Sequence, residues 1–502
     1  MGDQQGDKKP HAIVIGSGFG GLAAAVRLGA RGFKVTVLEQ LDAPGGRAYV
    51  FRQDGFTFDA GPTIITAPFL LEDLWRLCGR RLQDDVELRA LQPFYRIRFH
   101  DGEILDCSDD DRVMAAQIGK FAPGDLEGYR GFLRASEAIY AIAFEQLAHL
   151  PFDSMADMWR LVPDLVRLRS YRSIYGLVSS FVKNPRLRFA LSFHPLFVGG
   201  NPFTTTSIYG LIAFLERRWG VHFAMGGTGS IVAGLVNLIQ GQGNRVRYGA
   251  RVADITVVER RARGVRLTSG EELRADIVVS NADAATTYGN LLPAASHRHW
   301  SAQKLARAQH SMSLFVWYFG TSRRYPDVPH HTILVGPRYK ELLHDIFERK
   351  ILADDFSLYL HRPTATDPSL APAGSDAFYV LSPVPHLGGN VDWGVMAEKY
   401  RRAIAAHLSE TLLPDLESHV VSSRIMTPLD FRDRLLSYQG AAFGLAPALS
   451  QSAWFRPHNR SEDIEHLYLV GAGTHPGAGV PGVLSSARVL DTVVPDAAFF
   501  SG

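Results

Sequence analysis

The chain of 502 residues carries 53 basic and 51 acidic side chains, a net charge of only +2, and is 46% hydrophobic. That length allows two or three domains and a sizeable core, and the near-neutral balance offers no electrostatic case for binding nucleic acid. The two cysteines, Cys78 and Cys107, form no disulfide or metal spacing, and the eighteen histidines contain no HExxH arrangement. No apolar run reaches the roughly 18 residues that cross a bilayer, and Met1 to Pro10 is polar and charged, unlike a signal peptide. A metal-free cytosolic protein is expected.

In chain order, Ile13-Val14-Ile15 is a β-branched run that enters Gly16-x-Gly18-x-x-Gly21, and Leu22 to Leu28 follows as a run of helix formers. Strand, turn and helix start lie in register. Gly16 makes the turn, Gly18 lets a pyrophosphate approach the backbone, and Gly21 allows close packing of helix and strand. Gly32 ends the helix, Lys34 to Leu38 reads as a second parallel strand, and Glu39 closes it where a ribose-binding acid belongs. Its charge argues against a 2′-phosphate. Pro44-Gly45-Gly46-Arg47 adds a second glycine pair that a plain nicotinamide site does not call for.

Phe58 to Thr63 reads as a strand end and a loop, because Pro62 biases Gly61 away from helix. Tyr95 to Phe99 and Glu103 to Asp106 flank His100-Asp101-Gly102 as a tight hairpin that opens a new, antiparallel sheet. From Met155 to Ala190 apolar residues recur at near-helical spacing among seven basic ones, with Asp157 and Asp164 opposing them. Such a region either lies in a membrane interface or packs on a core with a solvated basic face. Phe193 to Trp219 is expected to be a buried helix after a turn. Gly226-Gly227-Thr228-Gly229 is a weak phosphate signal before another helix, and the β-rich stretch ending at Ile277 to Ala282 returns to the first domain. Strand-like runs between Ser311 and Pro385 complete the antiparallel sheet, while His330-His331 lacks companions at ligand spacing and reads as a loop. Leu467 to Val470 then enters the glycine loop Gly471 to Gly482 and a helix, Val483 to Leu490.

Gly46 and Arg47 resemble the second flavin signature of the amine oxidase and carotene desaturase superfamily. Over nearly the whole chain the sequence resembles the bacterial CrtI-type phytoene desaturases. The likeness rests on Gly16 to Gly21, Glu39, Gly45 to Tyr49, the Phe58 to Thr63 loop, Phe197 to Phe203, Gly226 to Gly229, Ser452 to Arg460 and Tyr468 to Gly482. It implies an FAD enzyme, bound peripherally to the inner membrane on its cytoplasmic side, that converts phytoene to lycopene or neurosporene, with quinone or oxygen as electron acceptor. Residue by residue, Gly16, Gly18, Gly20 and Gly21 match the pyrophosphate loop, Glu39 the ribose acid, Gly46 and Arg47 the second flavin loop, and Val252 the strand facing adenine. Gly471, Gly473, Thr474, Pro481 and Gly482 match the C-terminal motif at pyrophosphate and isoalloxazine.

The expected fold class is α/β: a discontinuous Rossmann-like FAD-binding domain (10–93, 222–290 and 460–502) with an inserted antiparallel-sheet substrate domain (94–150 and 291–459). A helical, membrane-associated region (151–221) completes it. A hydrocarbon substrate calls for an apolar tunnel, which the segments around Phe193 to Trp219 and Leu314 to Phe319 would line. Asp59 and His194 are candidates for the proton-accepting base, but each reads more readily as a structural hydrogen-bonding residue, and no catalytic residue is assigned. Alternatives are a sister reaction on hydroxyneurosporene or diapophytoene, carotene oxidation or isomerisation, or a non-enzymatic isoprenoid binder of related fold.

Overall fold

The computed structural model describes residues 9–296 and 298–500; the polar opening, 1–8, lies outside them. The apolar run His11–Ile15 pairs in parallel with Lys34–Leu38, Ile13 opposite Thr36, and the helix Phe19–Ala30 makes the crossover. Ile277–Ser280 flanks the first strand on its other side and Leu467–Leu469 lies beyond it, while Arg245–Arg247 extends the second strand's edge. All five strands run in parallel, and the central ones are buried on both faces, as continuous β-branched runs require. Three separated stretches of chain thus build one sheet, as the recurring strand and glycine-loop pattern predicts.

Both faces of that sheet are covered. Leu22, Ala23 and Val26 of the Phe19–Ala30 helix share a core with Ile231 and Leu235 of Thr228–Gly241 and with Leu484 and Ala487 of Val480–Val493. On the other face Ile13, Ile15 and Leu38 meet Val252, Ile255 and Val265 of a small antiparallel sheet. The last helix starts at Val480, three residues before the expected Val483, so Pro481 and Gly482 lie in its first turn.

The second sheet has seven strands, in the order Val420–Met426, Ser313–Thr321, Asp376–Val384, Leu358–His361, His331–Val335, Tyr95–Phe99 and Ile104–Cys107. It is not wholly antiparallel as expected. His331–Val335 and Tyr95–Phe99 run in parallel, Ile333 opposite Ile97. The hairpin at 95–107 and the block from 313 onward are separated by a helical region and by the return of the chain to the first sheet, and strands joined by a crossover escape the reversal that a short turn imposes. His331 is also not in a loop: it opens a buried strand and pairs with His361.

The region 151–221 is helical, with helices at Met155–Arg167, Ile174–Ser179, Pro185–Ser192 and Leu211–Trp219. Its apolar residues divide. Ile174, Leu177, Val178 and Leu187 sit in a core with Ile97 and Phe132, whereas Trp159 and Val166 on Met155–Arg167 are 70% and 61% exposed. Among the described residues no helix is long and apolar enough to cross a membrane.

Candidate active site

The glycine turn is shaped by contacts that no side chain would permit. Gly16 has φ +89°, and a Cβ on Gly21 would fall 2.1 Å from the Gly16 carbonyl oxygen, so helix and turn pack backbone on backbone. Gly18 caps the Phe19–Ala30 helix without a side-chain hydrogen bond, which leaves the amides of its first turn for a ligand anion. The second loop lies against the first: Gly18 bridges Gly45, and Gly46, at φ +58°, approaches Gly18 so closely that a Cβ would sit 3.3 Å from its Cα. Glu39 is buried at the end of the second strand. Its Oε2 accepts from the Ser17 amide at 2.9 Å and the Ser17 hydroxyl at 2.6 Å, and its Oε1 accepts from the Leu41 amide at 2.9 Å.

The C-terminal motif closes over this cradle. Gly471, at φ +92°, comes so near the first loop that a Cβ on Gly20 would lie 2.9 Å from its Cα. The helix Val480–Val493 also starts without a side-chain cap, at Gly479. Gly16, Gly18, Gly20, Glu39, Gly46, Arg47, Val252, Gly471, Pro481 and Gly482 all line one cavity. Gly21, Gly473 and Thr474 stand behind its wall. Thr474 is fully buried and donates to the Pro457 carbonyl at 2.6 Å, and a Cβ on Gly473 would strike Ala284, so these two shape the loop. Asn281 had no motif to reveal it, yet its amide contacts the positions of Gly16, Gly18, Gly20 and Gly471 together.

Beyond the cradle the same cavity, about 590 Å³ in volume, continues between Phe144, Leu161, Leu165, Leu168, Phe197, Ile208, Ile212 and Leu314. Only one face of the Ser313–Thr321 strand reaches it. Phe315, Trp317 and Phe319 point the other way into a separate core, as strand alternation requires. Leu161 lines the channel, and Phe181 packs edge-on against Phe132 at 6.2 Å.

Arg47 reaches the wall with its guanidinium tied back: Nε donates to the Ala442 carbonyl at 2.6 Å and Nη2 to the Ser437 hydroxyl at 2.9 Å. Burial lowers its pKa, and nearby Asp283 opposes the shift. Neither candidate base faces the cavity. Asp59 accepts from the Thr228 amide at 3.0 Å and so closes the start of the Thr228–Gly241 helix. The Gly226 to Gly229 loop therefore already holds an anion, a carboxylate of the protein itself. Burial pushes Asp59 up to about 6, against the pull of the Thr228 and Gly229 amides. His194 is buried against Glu216, its Nε2 3.1 Å from Oε2. What does reach the channel is a group of hydroxyls, Thr63 with Tyr379 at 2.7 Å and with Tyr359 at 3.3 Å. Behind it lie His330, His331 and His361, all buried, whose ligand-capable nitrogens lie within 4.8 Å of one another. The companion absent from the local spacing thus arrives across a strand pair.

Two helix N-termini free of side-chain caps, two glycine loops that a Cβ would fill, and a buried carboxylate between them fit a dinucleotide that ends in an apolar channel. The site is that of an FAD-dependent oxidoreductase. The family model described as flavin containing amine oxidoreductase matches residues 19–489. The lycopene-forming phytoene desaturase of Pseudescherichia vulneris is 51% identical over 483 residues, 96% of this chain and 98% of that one. The neurosporene-forming phytoene desaturase of Rhodobacter capsulatus is 49% identical over 492 residues, 97% and 94% of the two chains. Cyclohexylamine oxidase from Brevibacterium oxydans, 15% identical, shares the fold with a TM-score of 0.63 over 98% of this chain and all of its own. The chain belongs to the flavin containing amine oxidoreductase family and, within it, to the bacterial phytoene desaturases.

Proposed function

We propose that this enzyme desaturates phytoene, drawn from a membrane, and releases lycopene or neurosporene. The observation that carries the reading is the continuity of one cavity from the glycine cradle to a channel walled by Leu161, Leu165, Phe197 and Ile208. Phytoene has no ionisable group, so shape and contact have to select it. Hydrocarbon in lipid is already as apolar as the channel, and burial alone gives little preference. FAD, when bound, accepts the hydride of a C–H bond and passes the electrons on to a quinone or oxygen. The residues Gly16 to Gly21, Glu39, Gly46, Arg47, Val252 and Gly471 to Gly482 would hold it, with Gly473 and Thr474 shaping the loop behind.

The reading includes a docking face. The Met155–Arg167 helix lines the channel with Met158, Leu161 and Leu165 and turns Trp159, Val162 and Val166 outward. Arg160, Arg167, Arg169 and Arg172 lie among or just beyond these residues, suited to anionic headgroups. We assign 10–93, 222–290 and 460–502 to the FAD domain and 94–150 with 291–459 to the substrate domain, with 151–221 as the membrane-facing region. The test is turnover on liposomes that carry phytoene or diapophytoene, with chromatographic identification of products. Lycopene or neurosporene from phytoene supports the reading; conversion of diapophytoene alone would replace it.

A further inference from the structure

Each desaturation removes a hydride from one carbon and a proton from its neighbour, and the proton needs an acceptor on the channel wall. The carboxylates Glu216, Asp164 and Asp283 there are already committed. Both oxygens of Glu216 are held, by the Tyr95 hydroxyl at 2.5 Å and by His194 at 3.1 Å. Asp164 pairs with Arg167 at 2.9 Å, and Asp283 accepts from the Ala285 amide at 2.8 Å.

Tyr359 differs from these. Its ring lines the channel while its hydroxyl lies 2.7 Å from Nδ1 of the fully buried His331. Its neighbour Thr63 stands two residues after Gly61, where a Cβ would fall 3.0 Å from the Arg47 carbonyl oxygen, so the loop that carries Thr63 runs against the second glycine loop. Behind His331, His361 and His330 are joined through their Nε2 atoms at 3.0 Å as a separate pair, and His331 Nε2 itself has no hydrogen-bond partner.

We propose that Tyr359 accepts the substrate proton in each desaturation and that its own hydroxyl proton passes to His331 Nδ1. The step balances. As the hydride leaves for the flavin, the C–H bond on the adjacent carbon breaks, its electron pair becomes the new C=C bond, and its proton goes to the Tyr359 oxygen. His331 ends protonated on Nδ1, and Tyr359 is again a neutral hydroxyl. Burial pushes the His331 pKa down to about 3, so the ring is neutral and ready to accept. So weak a base suffices because a carbon that has lost hydride makes its neighbour's proton strongly acidic. Tyr359 is the catalytic residue and His331 acts through it.

The proposal rests on the desaturase reading, and the experiment separates the two. FAD-loaded wild type, Tyr359→Phe and His331→Asn are mixed anaerobically with phytoene liposomes, and flavin reduction is followed in H₂O and D₂O. Failure of wild type to reduce its flavin would count against the substrate reading itself. With wild type active, Tyr359→Phe should slow reduction about 100-fold or more at unchanged FAD content and phytoene binding, the scale of a lost general base. His331→Asn should slow it about 10-fold or more and remove the solvent isotope effect, which a purely structural defect would leave in place. If His331→Asn does not fold, Tyr359→Phe, which removes one oxygen, decides alone. Wild-type rates in Tyr359→Phe, or a solvent isotope effect that persists in His331→Asn, would overturn the proposal.

Discussion

Glu39 holds Ser17 twice through a single oxygen, Oε2, which accepts from the serine amide at 2.9 Å and its hydroxyl at 2.6 Å. The acid that ends the second strand therefore also fixes the turn that ends the first. Glu39→Ala removes the proposed ribose acceptor and leaves the Ser17 amide without its partner in a buried place. A lost hydrogen bond to a charged group is worth about 1.5–3 kcal/mol. FAD affinity, measured by titrating apoprotein and following flavin fluorescence, should fall roughly 10- to 150-fold.

Gly21→Ala should destabilise even the apoprotein, because its Cβ would start 2.1 Å from the Gly16 carbonyl oxygen and two backbone segments would have to part. Overpacking of this kind costs about 1–3 kcal/mol. Gly119 is the control, exposed within the helix Asp111–Phe121 with nothing inside 4 Å of its Cβ position. Gly119→Ala should gain about 0.5–1 kcal/mol. Thermal or urea unfolding of the two apo variants reads both signs.

Asp59 provides a pH signature. Its folded pKa is raised from 3.8 to about 6, so between those values the folded state binds the extra proton and the group's contribution to stability falls as pH rises. The carboxyl is least costly below pH 4, and its full cost is reached above pH 6. Asp59→Asn lacks this titration. The stability of the variant relative to wild type should climb between about pH 4 and pH 6 by about 3 kcal/mol and then level off. Urea midpoints at a series of pH values give the difference.

The docking face predicts salt-sensitive attachment. Each basic residue near an anionic surface contributes about 1 kcal/mol. Replacement of Arg160, Arg167, Arg169 and Arg172 by Ser should therefore weaken co-sedimentation with anionic liposomes at least 10-fold, while turnover in detergent persists. Sedimentation equal to wild type would leave these arginines as a solvated face.

What was legible in the sequence was local. Gly16 to Gly21 and Glu39 act within some two dozen residues of chain, so turn, helix start and acid can be read in register. Pairings made across the fold left no such trace. Asn281 contacts four glycines from two distant loops, and the parallel seam of Ile333 with Ile97 depends on a crossover of more than two hundred residues. Asp59 and His194 are buried polar residues whose partners, Thr228 and Glu216, decide their role. The same holds for His361, which joins His330 and His331 only because two strands pair. In the Met155–Arg167 helix, apolar spacing alone could not separate Leu161, which faces the channel, from Trp159, which faces outward.

The central claim is that one cavity brings phytoene to FAD. It is tested most directly by a single anaerobic turnover, in which enzyme-bound FAD is mixed with phytoene in liposomes and both flavin absorbance and the carotene are quantified. The predicted result is full flavin bleaching with one new carbon–carbon double bond formed per FAD. Unchanged phytoene beside an oxidised flavin, in a protein that has bound both, would contradict it.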